Sequence, residues 1–290
     1  MIEPFAMNLQ CGRFELTLER PLLMGILNVT PDSFSDGGRY HAVDDAIARG
    51  QRMREEGADI IDIGGESTRP GAVPVSADEE IARVTPVVEA LRGLGIPLSV
   101  DTRAPAVMRA VLAAGADMIN DVQGFGATGA VDAVRGSRAA LCVMHMLGNP
   151  STMQQAPVYR DVVSEVVDWL YRRRQWLIEG GVETDRIVLD PGIGFGKTQP
   201  DNLRLLHDLP RLCAGGAPVL IGVSRKSVIG HLTGRAVHER LAGSLAAMLC
   251  AVERGARIVR VHDVAQTRDA LRVRDGIEAA VSAETMKGRL

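Results

Sequence analysis

Asp101, Asn120 and Asp190 each close a short apolar run. Three carboxylate or amide side chains brought to one place can read the donor–acceptor edge of a nitrogen heterocycle. A 2-amino-4-oxopyrimidine edge presents an amino group and a ring N–H to a carboxylate, and a carbonyl that a lysine such as Lys226 can reach. The same side chains could instead bind a metal or cap helices, and Asp101 before Thr102-Arg103 has the form of an N-cap. Capping explains one such residue more easily than three. A second set suits an anion. Arg69 follows Ser67 and Thr68 and precedes a rigid Pro70-Gly71 turn, while Arg260 and His262 alternate on one run and so face the same way. A buried arginine with no counter-charge is expensive, which favours an anion at Arg260 over core packing. His145 fits a hydrogen-bonded structural role as well as a ligand contact.

The loops that carry these groups are long. Residues 28–38 expose Phe34 among small polar residues, including Asp32 and Asp36, as a lid closing over a flat substrate would. Asp190-Pro191-Gly192-Ile193-Gly194-Phe195-Gly196-Lys197 resembles a phosphate-binding P-loop only superficially. Three residues separate Gly192 from Gly196 where that motif needs four, and Pro191 occupies a glycine position. Its glycines instead let backbone pass close to a flat ligand, with Phe195 available for ring contacts. Ser224-Arg225-Lys226-Ser227 opens a short helix, where Ser227 could meet a carboxylate.

Positioning all of this are eight apolar runs, Leu22–Leu27, Asp59–Ile63, Pro97–Val100, Asp117–Ile119, Ala140–Met144, Arg186–Leu189, Val219–Val223 and Arg257–Val261. Between them are helical segments at Val43–Glu56, Ala77–Leu91, Ala104–Ala114, Ala130–Arg135, Tyr159–Glu179, Asn202–His207, Val237–Glu253 and Gln266–Val281. Helix-to-strand joints such as Gly57–Asp59 and Gly115–Asp117 are short, whereas the loops after strands are long. Function therefore belongs at the strand carboxyl ends, and the pattern is that of an α/β protein, a (β/α)8 TIM barrel. Alternation in Arg13–Leu18 adds a small N-terminal β-hairpin within residues 1–20, plugging the bottom of one barrel domain over residues 1–290.

Composition agrees and excludes other classes. Apolar residues make up 46% and aromatic ones only 3%, as suits strands buried on both faces. With a net charge of −3 and no basic tract beyond Arg172–Arg174, nucleic acid is not an expected partner. No apolar run reaches the ~18 residues of a membrane helix and no leader pattern opens the chain, so a soluble cytoplasmic protein is expected. Four scattered cysteines show neither metal-ligand nor disulfide spacing.

Residues 24–38, Glu66-Ser67-Thr68-Arg69-Pro70-Gly71, 190–197 and Ser224-Arg225-Lys226-Ser227, in that order, closely resemble the dihydropteroate synthase family. The resemblance runs from about residue 6 to 285. It implies condensation of 6-hydroxymethyl-7,8-dihydropterin diphosphate with p-aminobenzoate to give 7,8-dihydropteroate and pyrophosphate. By the same resemblance Asp101, Asn120, Asp190 and Lys226 hold the pterin, with Met144 beside them, and Asn28 helps bind Mg²⁺. Thr68, Arg69, Arg260 and His262 face the diphosphate. Phe34, Pro70, Phe195 and Ser227 shape the aminobenzoate site, and Asp36 lies in the first loop. A homodimer through late barrel helices is implied, for which Leu241–Val252 is apolar enough. The competing readings are a pterin-dependent methyltransferase, a non-catalytic pterin-binding protein and a phosphate-binding aldolase barrel. The last calls for a lysine inside a strand, and none of the eight runs has one.

Overall fold

A computed structural model describes residues 7–29, 38–66, 75–148, 153 and 157–287; for residues 38–42 and 281–287 only the backbone is described. Strands β1 (Asn8–Cys11) and β2 (Phe14–Thr17) pair antiparallel as the expected hairpin. Eight parallel strands follow: β3 (Leu22–Asn28), β4 (Ile60–Gly64), β5 (Leu98–Asp101), β6 (Met118–Asp121), β7 (Ala140–Met144), β8 (Ile187–Asp190), β9 (Leu220–Ile221) and β10 (Ile258–Val261). Their order is β8-β7-β6-β5-β4-β3-β10-β9, and a parallel bridge from Leu189 to Val219 joins the two outer strands and closes the barrel.

The helices between them are α1 (Gly38–Glu55), α2 (Ala77–Leu91), α3 (Pro105–Ala114), α4 (Ala130–Val134), α5 (Val162–Glu179), α6 (Gln199–His207), α7 (Leu209–Cys213), α8 (Ser227–Thr233), α9 (Leu241–Glu253) and α10 (Val264–Lys287). Several boundaries depart from the sequence expectation for local reasons. α5 starts at Val162, not Tyr159, because Asp161 accepts the Val163 N–H and caps it. α6 starts three residues early, where Thr198 and Asp201 form a capping box. The segment expected at Val237–Glu253 splits into a 3₁₀ turn over Val237–Glu239 and α9.

Period-2 alternation divides the strands into two cores. Leu23, Leu27, Ile61, Ile63, Val100, Ile119, Leu141, Leu189 and Val259 face outward into the layer beneath the helices. Leu22, Met24, Ile60, Met118, Ala140, Cys142, Val188, Leu220 and Ile258 fill the barrel interior, where Leu9, Cys11 and Leu18 of the hairpin region close its amino end. Asp117 fastens the plug: it accepts from the Arg13 backbone N–H (3.1 Å) and side chain (2.8 Å), and its carbonyl accepts from Cys11 Sγ. No helix among the described residues is long and apolar enough to cross a membrane.

Candidate active site

Above the apolar interior layer the same inward positions turn polar. Asp62, two residues beyond Ile60, joins Asp101, Asn120, Asp190 and Arg260 around the barrel axis, and all but Arg260 are buried. Arg260 Nε donates to Asp62 Oδ2 at 2.5 Å and its Nη2 to Asp101 Oδ2 at 2.9 Å. Asn120 Nδ2 donates to Asp62 Oδ2 at 3.1 Å. The structure therefore supplies Arg260 with counter-charges from within the chain. One of them, Asp62, is absent from the sequence reading. Its signal was available as an acidic residue inside a buried parallel strand, in step with the inward-facing Ile60.

The second oxygens matter most. Asp62 Oδ1 and Asp101 Oδ1 are buried and make no hydrogen bond among the described residues. Such orphaned acceptors cost the fold about 1–3 kcal/mol each unless a ligand donates to them. Burial pushes the Asp101 carboxyl up to about 7, Arg260 opposes that rise, and Asp62 adds to it. Burial disfavours the Arg260 charge, but Asp62 and Asp101 outweigh that and hold it protonated.

On the other side of the mouth, Asp190 and Lys226 form a second pair of opposite charges. Burial raises the Asp190 carboxyl and Lys226 opposes this, while burial pulls Lys226 down to about 8 against the attraction of Asp190. Asp190 Oδ1 accepts the Gly192 N–H at 2.7 Å, and Lys226 Nζ donates to the Ile193 carbonyl and lies 4.7 Å from the centre of the Phe195 ring. Met144 is buried opposite Asp190 in the β7–β8 register. The loop after β8 presses on the loop after β7. A Cβ on Gly192, whose φ is +68°, would lie 2.0 Å from the His145 carbonyl oxygen. Gly192→Ala is expected to destabilise the protein by about 2 kcal/mol or more, from strain plus displacement of this loop. Thermal unfolding checks this, and a wild-type melting temperature contradicts it.

His145 turns away from the mouth. It is buried, its Nδ1 lies 3.0 Å from Lys197 Nζ, and its ring stands edge-on to Trp169 at 5.1 Å. Burial, reinforced by Lys197, lowers its pKa to about 3, so the ring is neutral. Of the two roles open for His145, the structure shows the hydrogen-bonded one.

His262, Asn28 and Ser224 make the third group. Ser224 Oγ meets His262 Nδ1 at 3.0 Å and accepts from the His262 backbone N–H at 3.3 Å. Arg225 holds a φ of +59°, fixed by its ion pair with Asp263 and by its backbone N–H donating to Ser244 Oγ at 3.0 Å. That conformation turns the chain so that Ser224 and Lys226 serve different groups. A cavity of about 510 Å³ opens beside Asn28 and His262, with Arg49, Arg225 and Asp263 also in its walls. Ser227 is exposed at the first residue of α8. Phe34, Asp36, Thr68, Arg69 and Pro70 lie outside the described residues.

Behind Gly65, buried Glu80 on α2 leaves Oε1 without a hydrogen bond among the described residues. Burial pushes its carboxyl from 4.5 to about 7; Thr102 opposes the rise and Glu66 adds to it. Between these values the folded protein keeps a proton the unfolded chain has lost, so this group's contribution to stability falls as pH rises. Glu80→Gln is therefore expected to melt near the wild type at pH 5 and several degrees above it at pH 8. A gap that does not widen with pH would contradict this.

Comparison with known proteins fits this site. Residues 24–262 match the pterin binding enzyme family. The dihydropteroate synthase of Neisseria meningitidis serogroup B is 52% identical over 271 residues, spanning 91% of this chain and 95% of that protein. That of Escherichia coli K12 is 46% identical over 273 residues, spanning 94% and 96%. Among solved structures, Xanthomonas albilineans dihydropteroate synthase with 4-aminobenzoic acid is 53% identical with a TM-score of 0.89, covering 94% of this chain and 99% of that one. Burkholderia cenocepacia dihydropteroate synthase complexed with 7,8-dihydropteroate is 57% identical with a TM-score of 0.88, covering 95% and 98%. With the inward-facing carboxylates, the lysine and the arginine all in place within that barrel, the chain belongs to the dihydropteroate synthases, pterin-binding transferases of folate biosynthesis.

Proposed function

We propose that this enzyme joins 6-hydroxymethyl-7,8-dihydropterin diphosphate to p-aminobenzoate, releasing pyrophosphate, by loss of the diphosphate before the amine attacks. The observation that carries the reading is the pair of buried oxygens Asp62 Oδ1 and Asp101 Oδ1, without a hydrogen bond among the described residues, beside Asn120 and facing the same interior as Asp190 and Lys226. Relatives solved with 4-aminobenzoic acid and with 7,8-dihydropteroate support the substrate classes.

In this reading Asp190 accepts from the 2-amino and ring N–H groups of the pterin, Lys226 donates to its carbonyl, and other ring N–H groups meet Asn120, Asp62 and Asp101. Breaking the C–O bond moves negative charge onto the diphosphate. Arg260 and His262 would meet that charge as it develops, with His262 oriented through Ser224. The electron-rich dihydropterin delocalises the positive charge left on its methylene carbon, close to the carboxyl groups of Asp62, Asp101 and Asp190. The amine of p-aminobenzoate has its lone pair free at neutral pH and needs no strong base. Phe195 and Ser227 would border it. Thr68 and Arg69 would join the diphosphate group, and Phe34, Asp36 and Pro70 would close over the second substrate and exclude water.

Among the described residues no three His, Cys, Asp or Glu side chains converge on a metal position. Asn28 offers one hard oxygen beside His262 and the cavity. That donor set fits a magnesium ion held mainly by the diphosphate and water. Bound there, Mg²⁺ would supply charge neutralisation at the leaving oxygens.

The outer face of α9 exposes Ala242, Ala246 and Cys250, with Leu245 and Leu249 half-buried, and a second copy of the chain is its proposed occupant. Purified protein given both substrates and Mg²⁺ should form dihydropteroate, and EDTA should stop it. Absence of that product, or unchanged formation in EDTA, would overturn respectively the reaction or the metal.

A further inference from the structure

The chain contains three lysines, Lys197, Lys226 and Lys287, against thirty arginines. Positive charge is carried by guanidinium almost everywhere, yet an ammonium stands at two positions beside the site. Lys226 belongs to the pterin group. Lys197 has no part in the reaction described above, and it is 3% exposed.

Its surroundings show why a compact ammonium is needed. Nζ lies 3.0 Å from His145 Nδ1, 3.2 Å from the His145 carbonyl oxygen and 2.9 Å from the Phe195 carbonyl oxygen. Burial pulls Lys197 down to about 7 against the attraction of Asp190. In the protonated form its three N–H protons meet three acceptors, which the planar fork of arginine does not reproduce. His145, neutral through burial, offers the lone pair of Nδ1 to this contact. The bonds run between two loops at the mouth, one after β7 and one after β8.

Other groups hold the rest of the loop after β8. Asp190 takes the Gly192 N–H, Asn202 Oδ1 takes the Gly194 N–H at 2.6 Å, and Tyr159 donates to the Gly196 carbonyl at 2.8 Å. Lys226 holds the Ile193 carbonyl. Lys197 holds the Phe195 carbonyl, and the Phe195 ring in turn lies against Lys226 Nζ, 4.7 Å from its centre. A shift of the Phe195 backbone therefore moves the ring while leaving Asp190, which is anchored on its strand, where it is.

We propose that Lys197 is a positioning residue for the arylamine substrate, tying Phe195 to His145 so that the Phe195 ring is fixed where p-aminobenzoate binds. This rests on the proposed synthase reaction. Lys197→Met and Lys197→Arg are the direct variants. Each is expected to raise KM for p-aminobenzoate at least tenfold while kcat and the pterin diphosphate Kd, read by calorimetry, change less than about threefold. Arginine should not rescue, because charge without three-way donation is insufficient.

A merely structural lysine would lower stability and weaken both substrates together, or neither. Either pattern in a folded variant overturns the proposal, as does rescue by arginine. If the Lys197 variants do not fold, Tyr159→Phe decides. It releases the neighbouring Gly196 carbonyl and is expected to raise KM for p-aminobenzoate about threefold with pterin Kd unchanged. Unchanged KM in Tyr159→Phe would then overturn it. Failure of the underlying reaction shows itself separately, as absence of aminobenzoate-dependent turnover in the wild-type enzyme.

Discussion

Arg260→Ala is expected to destabilise the protein by about 3–5 kcal/mol at pH 8 and to cut turnover at least about 10²-fold. Removing one partner of a buried ion pair costs this much because the other charge stays behind, and Arg260 has two partners. Asp62 is fully buried, Asp101 is 10% exposed, and both direct an oxygen at the guanidinium. For a chain of this length the loss corresponds to about 6–20 °C in melting temperature. The effect should depend on pH with a definite sign. Asp101 already sits at about 7 with Arg260 present, and losing the guanidinium that opposes its rise pushes it further up. The folded variant then binds protons that the unfolded chain releases, so its stability falls as pH increases and partly recovers near pH 5. Melting curves at pH 5 and pH 8 test this directly. A variant as stable as wild type at pH 8 would show that the Arg260 pairs contribute nothing. The loss of turnover has a different origin, the missing charge at the departing diphosphate. Arg260→Lys should restore part of the stability and less of the rate, since an ammonium cannot donate to Asp62 and Asp101 in the same fork geometry.

The second large effect is expected at Asp190. Asp190→Ala should weaken pterin binding by about 10²-fold or more, since hydrogen bonds to a charged group contribute about 1.5–3 kcal/mol each and two pterin donors would lose their acceptor. Lys226→Ala should act in the same direction through the pterin carbonyl. Asp190→Asn separates the two duties of this side chain. An amide oxygen can still accept the Gly192 N–H, so the loop keeps its shape, while the amide nitrogen opposes the pterin donors. Calorimetry with the pterin substrate and melting temperature, measured together, distinguish these outcomes. Pterin affinity that survives in Asp190→Asn or Lys226→Ala would remove these residues from the pocket.

The strand ends were legible in the sequence because a buried parallel strand is a continuous apolar run, and each run stops where the chain meets polar groups. Asn28, Asp101, Asn120, Asp190, Lys226 and His262 are visible this way, and Arg260 through its alternation with His262; the structure brings them to the barrel mouth. What the sequence conceals is lateral register. That Arg260 meets Asp62 and Asp101 depends on how β10, β3, β4 and β5 align side by side. No one-dimensional spacing encodes this, so the arginine read as lacking a counter-charge in fact has two. Asp62 escaped notice for a related reason. It lies within a run, not at its end, and only the inward parity shared with Ile60 marks it. Lys197 and His145 were both visible as residues, but their contact spans 52 positions and two loops. Short elements such as α7, with five residues, carry too little periodicity to be read.

Barrel and pterin chemistry alone would also suit a pterin-dependent methyltransferase, but synthases at 46–52% identity over nearly the full chain argue for the transferase assigned here. The measurement that bears most directly on the proposed chemistry is pyrophosphate release from 6-hydroxymethyl-7,8-dihydropterin diphosphate, followed with and without p-aminobenzoate in Mg²⁺ and in EDTA. Departure of the diphosphate before attack predicts slow Mg²⁺-dependent release from the pterin substrate alone, and faster release with dihydropteroate formed once the amine is added. No release in the absence of p-aminobenzoate, even within the first turnover, would contradict a dissociative step and require direct displacement by the amine.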